Sequence, residues 1–388
     1  MEKLILLFLI LFPFGQVIRL NLYFFGTRIP IHPLDLVAGA SLFYLIGKLK
    51  KPKIFKQITA FLFAAAFSYF FSFVIFKSGK FYIGGLYLLR LLAYTGLFLL
   101  VFKVVSKKKK LKKVLFNSLI LVSIATAIFG WIQYFLYPDI TTFVIWGWDD
   151  HLYRLLGTFL DPGFISIILV FGFLLSLVKY LKTKNNRMIP LLVFFLLTIA
   201  FTYARSGYLA LLLGTTIAFW FKRGIKLVLP VVLIFLLIIF LLPRPGGEGV
   251  KLERLHSIYS RFENYSETIE IFKTSPIFGV GYNNLCLARQ KYLGTTDFSS
   301  HACSGSDSSL LFVLATTGIV GFLIFANLIF ESVKNVDRSI YGQAFLACLG
   351  ALLLHSFFVN SLFYPWVMGF MGILFSLSLK TSRSKPKG

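Results

Sequence analysis

The sequence predicts an all-α fold: a polytopic transmembrane helix bundle of about twelve spans, with a large extracytoplasmic loop that contains an amphipathic helix. Hydrophobic residues make up 57% of the 388 residues, and the mean hydropathy is +0.81. They form stretches that mostly approach the ~20 apolar residues needed to cross a hydrocarbon core of ~30 Å. Lysine clusters recur on every second connection between these stretches. This alternation is typical of a membrane protein with basic cytoplasmic loops.

Twelve apolar stretches are candidate spans, and the three at 34–48, 188–204 and 207–222 are short. In chain order the spans are 4–20, 34–48, 57–76, 82–105, 114–137, 162–181, 188–204, 207–222, 226–242, 309–332, 341–360 and 362–380. Their even number predicts that both termini lie on the same side of the membrane. The whole chain, 1–388, is predicted to be a single integral membrane domain.

The distribution of charge predicts the orientation of these spans. With a cytoplasmic N-terminus, about 26 of the 40 Lys and Arg lie on the cytoplasmic side, where the acids are only Glu2, Glu331 and Asp337. The net charge of +25 is therefore mainly a positive-inside signal. The four lysines at 107–110 are interpreted as a topology anchor that contacts anionic membrane lipids, and no nucleic-acid partner is predicted.

The N-terminal stretch resembles a signal peptide, because Glu2 and Lys3 precede an apolar run. No small-x-small cleavage site follows, and Pro13 and Gly15 continue into more apolar sequence. We therefore expect an uncleaved anchor helix.

The longest segment outside the bilayer is 243–308, between the ninth and tenth spans. Apolar residues recur at spacings of three and four over 252–273, which predicts an amphipathic helix that either lies in the membrane interface or caps the bundle. Cys286 and Cys303 both fall in this segment, where an oxidising compartment would permit a disulfide, although the pairing stays open. Cys348 is interpreted as a buried small hydrophobe.

Five arginines carry the functional hypothesis. Arg90 lies about nine residues into a span, where a guanidinium is costly unless it lines a polar cavity or the bundle interior. The other four, at the predicted outer face, are Arg154, Arg205, Arg254 and Arg261. Several guanidiniums at one membrane surface suit a diphosphate, since each donates two parallel hydrogen bonds and stays protonated. Asp161 and Asp35 are interpreted mainly as helix-start residues.

A proton acceptor is predicted among the outer histidines and carboxylates, where Asp307 and His301 form the most suggestive pair. The other histidines at the predicted outer face are His151, His256 and His355. A histidine titrates near neutrality, whereas an aspartate needs a raised pKa to act as a base there. Asp307 is also interpretable as a helix cap. No metal-ligand spacing or nucleotide-binding glycine loop is present, so we expect neither a metal nor a cofactor.

Four motifs follow one another along the chain: RLLGTFLDPG (154–163), TYARSGYLA (202–210), RFENYSETIEIFKTSPIFGVG (261–281) and DSSLLFVLATTGIVG (307–321). Together they resemble the O-antigen ligase and O-antigen polymerase superfamily of bacterial membrane glycosyltransferases. The resemblance implies transfer of a glycan from a polyprenyl-diphosphate carrier to a glycan, lipid or protein acceptor. It also implies an active site on the outer face of the bacterial cytoplasmic membrane, with the donor diphosphate bound by Arg154, Arg205 and, less directly, Arg254 and Arg261.

The chain departs from the family pattern before the tenth span. Ligases there typically carry a histidine, and alignment on Gly318 and Gly321 places Asp307 at that position. The usual loop tryptophan is Tyr265. Whether Asp307 or His301 is the base, and whether the protein is a ligase or a polymerase, therefore stay open.

Two other functions remain as alternatives. A lipid-linked glycan transporter or flippase would also have many spans, with Arg90 on its path, although the sequence shows no paired halves with interrupted helices. A noncatalytic assembly partner would explain the Asp307 substitution.

Overall fold

The protein is described by a computed structural model that covers residues 1–24, 27–45, 51–76, 82–146, 149–221, 224–294, 303 and 305–380. Its α-helices, in chain order, are α1 (Glu2–Leu11), α2 (Pro33–Phe43), α3 (Phe55–Ile75), α4 (Tyr82–Lys107), α5 (Lys110–Leu136), α6 (Pro162–Thr183), α7 (Met188–Ala200), α8 (Arg205–Trp220), α9 (Val228–Phe240), α10 (His256–Thr274), α11 (Leu285–Ala288), α12 (Ser309–Asn335), α13 (Ile340–His355) and α14 (Pro365–Ser378).

The all-α class is confirmed, and every predicted span overlaps one of these helices. Five of them, α3, α4, α5, α6 and α12, are long and apolar enough to cross a membrane, and five shorter helices are also apolar. The count of twelve spans stays a prediction, because helices such as α7 and α9, at 13 residues each, are too short to cross ~30 Å at 1.5 Å per residue.

The first predicted span, 4–20, is wrong in its extent. Helix α1 ends at Leu11, and a short 3-10 turn with Pro13 follows. Gly15 then adopts a φ of +53°, where a Cβ would lie 2.5 Å from the Thr158 carbonyl oxygen. The chain continues as an antiparallel hairpin of β1 (Leu20–Phe24) and β2 (Thr27–Ile31), which was not predicted.

Polar side chains set the starts of several helices. The Asp161 carboxylate accepts a hydrogen bond from the Phe164 amide at 2.8 Å, and Pro162 occupies the first position of α6, as predicted. Asp35 accepts from the His32 amide at the start of α2, also as predicted. Ser308 caps α12 by accepting from the Leu311 amide.

The apolar core has two parts. The larger part centres on α6, which packs against α5, α7, α8 and α13. An 18-residue apolar stretch of α6 is 83% buried. The smaller part joins α3, residues 280–288 and α12. Helix α3 lies at the periphery, since only 28% of its 18-residue apolar stretch is buried inside the protein.

Helix α12 is interrupted at Gly318, which has a φ of +66° and a ψ of −174°. The segment 276–281 repairs the break: the Val280 and Gly281 amides donate to Ala315 and Thr316 carbonyls, and the Ile319 amide donates to the Pro276 carbonyl. Irregular backbone of this kind is tolerated in an apolar environment only where protein satisfies its polar groups. The sequence analysis did not predict this break.

Between α9 and α12 the predicted amphipathic helix is present as α10. The same segment holds the Cys286–Cys303 disulfide, which the sequence left open, and Cys348 is buried and free.

Replacing Gly318 with alanine should destabilise the protein by more than the ~1 kcal/mol typical of a glycine in an unfavourable conformation, because the new Cβ would lie 2.2 Å from the Ile277 carbonyl oxygen. The measurement is thermal unfolding of the detergent-solubilised protein. Gly39→Ala in α2 is the matched control, since its Cβ would meet nothing within 4 Å. An equal unfolding midpoint for the two variants would contradict this account of the break.

Candidate functional site

Arg154 connects the first two motifs. Its Nε donates to the Thr202 carbonyl at 3.1 Å and its Nη2 to the Tyr203 carbonyl at 3.2 Å. The side chain is only 6% exposed. Burial and the neighbouring Arg254 guanidinium lower the pKa of Arg154, but a guanidinium stays protonated at neutral pH. A full positive charge is therefore held beneath the surface by backbone carbonyls.

Arg205 and Arg254 join the second motif to the segment that follows α9. Arg205, at the start of α8, donates to the Leu252 and Arg254 carbonyls at 3.2 and 3.1 Å and to Ser257 Oγ at 2.6 Å. Arg254 donates to the Gly249 and Lys251 carbonyls, each at 2.7 Å, and to the Tyr203 carbonyl at 3.4 Å. The Tyr203 carbonyl is thus shared by Arg154 and Arg254.

Arg261 lies on α10, and no hydrogen bond or ion pair to it is found in the described part of the chain. Burial lowers the pKa of Arg254, followed by the charges of Arg205 and Arg261, so the guanidiniums belong to one electrostatic cluster. We call Arg154, Arg205, Arg254 and Arg261 the arginine cluster.

Over the described residues, no carboxylate oxygen lies within 4 Å of any cluster guanidinium, and the ion pairs are made elsewhere. Asp161 is in electrostatic range of Arg154 without being its ion-pair partner. The cluster therefore carries positive charge that is not neutralised at contact distance, and an anion is the ligand that it would favour.

Asp307, just before α12, is in electrostatic range of Arg261 of this cluster. Its amide donates to Asn264 Oδ1 at 2.9 Å, which ties it to α10. Burial raises the pKa of the Asp307 carboxyl, while Arg261 and Arg289 act in the opposite direction. Because Ser308 caps α12, the alternative interpretation of Asp307 as a helix cap is wrong.

The buried Arg289 side chain supports the segment before Asp307. The Arg289 side chain, 4% exposed, donates through Nη1 to the carbonyls of Cys303 and Gly305 at 2.9 and 2.8 Å. Its Nε donates to Glu267 of α10 at 3.2 Å. Together with the disulfide, Arg289 fastens this segment to α10 and α11.

A buried hydrogen-bond network links the starts of α8 and α12. His355, fully buried at the end of α13, bonds through Nε2 to Ser206 Oγ at 3.2 Å and through Nδ1 to Ser361 Oγ at 3.0 Å. Ser361 also meets Ser356, whose carbonyl accepts from the Ser309 amide at 2.9 Å. The residue next to Arg205 is thus coupled to the helix that begins beside Asp307.

The remaining histidine candidates differ in their environments. Burial, with Arg154 and Arg254 nearby, lowers the pKa of His151 to about 3, so that its imidazole is neutral and a weak base. The expectation of a base that titrates near neutrality is therefore wrong for His151. His301 lies outside the described residues, as does the side chain of His256.

Arg90 lies apart from the arginine cluster and has its own ion-pair partner. It forms an ion pair with Asp35 at 2.7 Å and donates to the Pro30 carbonyl at 3.2 Å. Its side chain is 15% exposed, as expected for an interior-facing arginine. A cavity-lining role stays a prediction, and the ion pair gives Arg90 a structural function that the sequence analysis assigned only to Asp35.

Comparison with known families gives a match over part of the chain. Residues 190–326 match the family described as O-Antigen ligase. This match supports the resemblance of the chain to the O-antigen ligase and polymerase superfamily. No curated protein matches the chain significantly. The matched O-antigen ligase region includes Arg205, Arg254, Arg261 and Asp307, whereas Arg154 lies before it. Together with the apolar helices, the match indicates a membrane glycan transferase similar to the O-antigen ligases and polymerases.

Sequence reasoning missed several residues that build this site. Arg289 follows Cys286 by three positions, but nothing distinguished it from a surface base. Asn264 lies in the third motif next to Tyr265, which was noted only for a substitution. The His355 network has no sequence signal, because its serines come from three separate segments.

The disulfide should stabilise the ligase region by about 3 kcal/mol, as expected for a closed loop of this length. We therefore expect reduction with dithiothreitol, or the double change Cys286→Ser and Cys303→Ser, to lower the thermal midpoint in detergent. Cys348→Ala is the control, because it removes the free thiol alone. A thermal midpoint that does not change with dithiothreitol would show that the disulfide contributes nothing to stability.

Proposed function

We propose that this protein transfers a glycan from a polyprenyl-diphosphate carrier to an acceptor hydroxyl at the outer face of the bacterial cytoplasmic membrane. The observation that carries the proposal is the arginine cluster: four guanidiniums from three separate segments, with no carboxylate within 4 Å in the described ranges. The family affiliation supports a lipid-linked glycan donor in general.

A diphosphate matches this cluster chemically. It carries several oxygens that accept charge-assisted hydrogen bonds, and each guanidinium can donate two in parallel. Arg154, Arg205 and Arg254 are preoriented by backbone carbonyls, so little side-chain entropy is lost when the ligand binds. Arg261 has no partner to give up among the described residues, and its donors are therefore available.

In the proposed reaction the acceptor hydroxyl oxygen attacks the anomeric carbon of the donor glycan. The bond from that carbon to the phosphate oxygen breaks, and its electron pair leaves with the polyprenyl diphosphate. Arginines stabilise the charge that develops on this leaving group. The hydroxyl proton passes to Asp307, whose raised pKa makes it a stronger base than an exposed aspartate. His301 is the other candidate for this role.

Three observations support the outer face as the site of reaction. The positive-inside rule predicts that 243–308 is extracytoplasmic. A disulfide persists in an oxidising compartment, and Cys286–Cys303 lies in this segment. The arginine cluster and Asp307 are connected to the same segment through Leu252 and Asn264. Both termini are then cytoplasmic.

Product analysis separates the remaining functions. A ligase adds one preassembled glycan to its acceptor, whereas a polymerase gives a ladder of repeats, and mass spectrometry distinguishes them. A flippase would give neither product with donor already in the outer leaflet. Proteoliposomes with outward-facing protein and labelled donor therefore test transfer without transport, and absence of any product would contradict the proposal.

Replacing Arg261 with alanine should lower transfer by about 10²–10³-fold, the usual loss for one donor to a developing negative charge. Its thermal midpoint should not change, because Arg261 holds no other described residue. Arg205→Ala should abolish transfer. Unlike Arg261→Ala, it should also lower the thermal midpoint, because three hydrogen bonds are lost.

Arg244→Ala is the matched control for these variants, because Arg244 is exposed and paired with Glu253. Full transfer by either Arg205→Ala or Arg261→Ala would rule out the proposed role of that arginine.

Asp307→Asn should lower transfer by about 10²–10⁴-fold, the range for loss of a general base. In the unmodified protein, kcat/KM should rise with pH as Asp307 loses its proton, with an apparent pKa above that of an ordinary aspartate. Activity is lost as the pH falls through this value, because the protonated carboxyl accepts no proton. If the acid limb survives in Asp307→Asn and disappears in His301→Gln, His301 is the base instead.

We propose that the arginines supply the positive charge that a divalent metal supplies at other sites where a diphosphate is the leaving group. Transfer should then be unchanged after dialysis against EDTA. A loss of activity that Mg²⁺ restores would contradict metal independence.

A further inference from the structure

Helix α10 has three distinct faces. Asn264, Thr268 and Ile271 pack against the protein. A second face is apolar and exposed. Its residues, which we call the apolar stripe, are Leu255, Tyr259, Phe262 and Ile269 at 59%, 68%, 66% and 40% exposure. Their spacing of four, three and seven places them along one side of the helix. The third face carries the exposed acids Glu263 and Glu270.

The position of α10 is fixed by contacts near its middle and after its last turn. Near its middle, the Tyr265 hydroxyl donates to the Phe357 carbonyl between α13 and α14, and Asn264 accepts from the Asp307 amide before α12. After its last turn, 276–281 bonds to α12 around Gly318. Gly318 lies nine residues inside α12, which at 1.5 Å per residue is ~14 Å from its start. Helix α10 therefore runs alongside the outer part of a candidate span.

The apolar stripe also continues into surface that faces lipid. Ile277 and Phe278, just after α10, are exposed, and the Phe278 ring packs on Phe67 and Phe71 of α3. Helix α3 is the least buried of the five long candidate spans, with Phe63 and Phe70 exposed at 73% and 61%. On a helix of this hydropathy such side chains contact the bilayer.

We infer that the apolar stripe of α10 inserts into the outer leaflet and holds Arg261 at the level of the lipid phosphates. Arg261 precedes Phe262 and lies between the stripe and the face packed on the protein. The acidic face with Glu263 and Glu270 then faces water. Sequence patterning left two roles open for this helix, and the structure supports both, because one face caps the bundle and another meets lipid. The role of Arg261 toward a lipid-borne diphosphate rests on the proposed function.

Site-directed spin labelling tests the insertion without any assay of transfer. Phe262→Cys and the neighbouring Glu263→Cys are labelled with a nitroxide in the full chain, reconstituted in phosphatidylethanolamine and phosphatidylglycerol nanodiscs. Cys348 is buried and the other two cysteines are bonded, so labelling is confined to the new residue. Collision with apolar oxygen and with a water-soluble nickel chelate is then measured by power saturation.

We expect the oxygen-to-nickel accessibility ratio at 262 to exceed that at 263 several-fold. A label on Tyr259→Cys should give a ratio similar to that at 262. Two other results would overturn the inference. Equal, nickel-accessible labels would place the stripe in water. Low accessibility to both reagents at 262 would mean that protein, such as a second copy, covers it.

The consequence for Arg261 has its own test. Phe262→Ser should lower transfer from a long-chain polyprenyl donor in the bilayer several-fold, but leave transfer from a short-chain, water-soluble diphosphate donor unchanged. Equal losses with both donors would contradict the positioning role. Absence of transfer by the unmodified protein would instead count against the proposed function, while the spin-label result would still decide the insertion.

Discussion

The site depends on guanidinium groups that are held by backbone carbonyls and, among the described residues, by no carboxylate. Arg154, Arg205 and Arg254 together bond to carbonyls of six residues in the segments 202–203 and 249–254. A hydrogen bond from a charged donor contributes about 1.5–3 kcal/mol, which orients each side chain without cancelling its charge. An ion pair would orient the same groups and neutralise them. Because carbonyls orient the guanidiniums without neutralising them, the surface stays positively charged and can bind an anionic ligand.

The backbone carbonyls are available only because the surrounding chain is irregular. Thr202 and Tyr203 lie between α7 and α8, where Tyr203 has a φ of +51°, and 249–254 precedes α10. Carbonyls inside a helix are already occupied by the helix's own amides. Short helices joined by tight turns therefore serve this site better than continuous spans. The same principle applies at Gly318, where a broken α12 offers its backbone to 276–281 and so anchors the end of α10.

The candidate proton acceptor Asp307 is connected to the arginine cluster from two sides. Arg289 and the disulfide fasten the segment before Asp307 to α11 and α10, and α10 also carries Arg261. From the other side, His355 and its serine partners couple the starts of α8 and α12. Asp307 and the arginines are therefore linked as parts of one packed unit. Such rigidity favours a site in which geometry between an anion and a base matters.

The sequence by itself predicted the helical membrane class, the arginines at one face and the amphipathic character of α10, because each depends on composition, charge or local periodicity. Its motifs carried the resemblance to the O-antigen ligase and polymerase superfamily. Only the tertiary structure decided what those side chains contact. Arg154 and Arg254 are 100 residues apart and share the Tyr203 carbonyl, and a linear pattern contains no information on such a contact. The break at Gly318 and the buried positions of His355 and Arg289 depend on neighbours from distant segments for the same reason. Helix lengths also differed from the predicted spans, since proline, glycine and tight packing end helices where hydropathy continues.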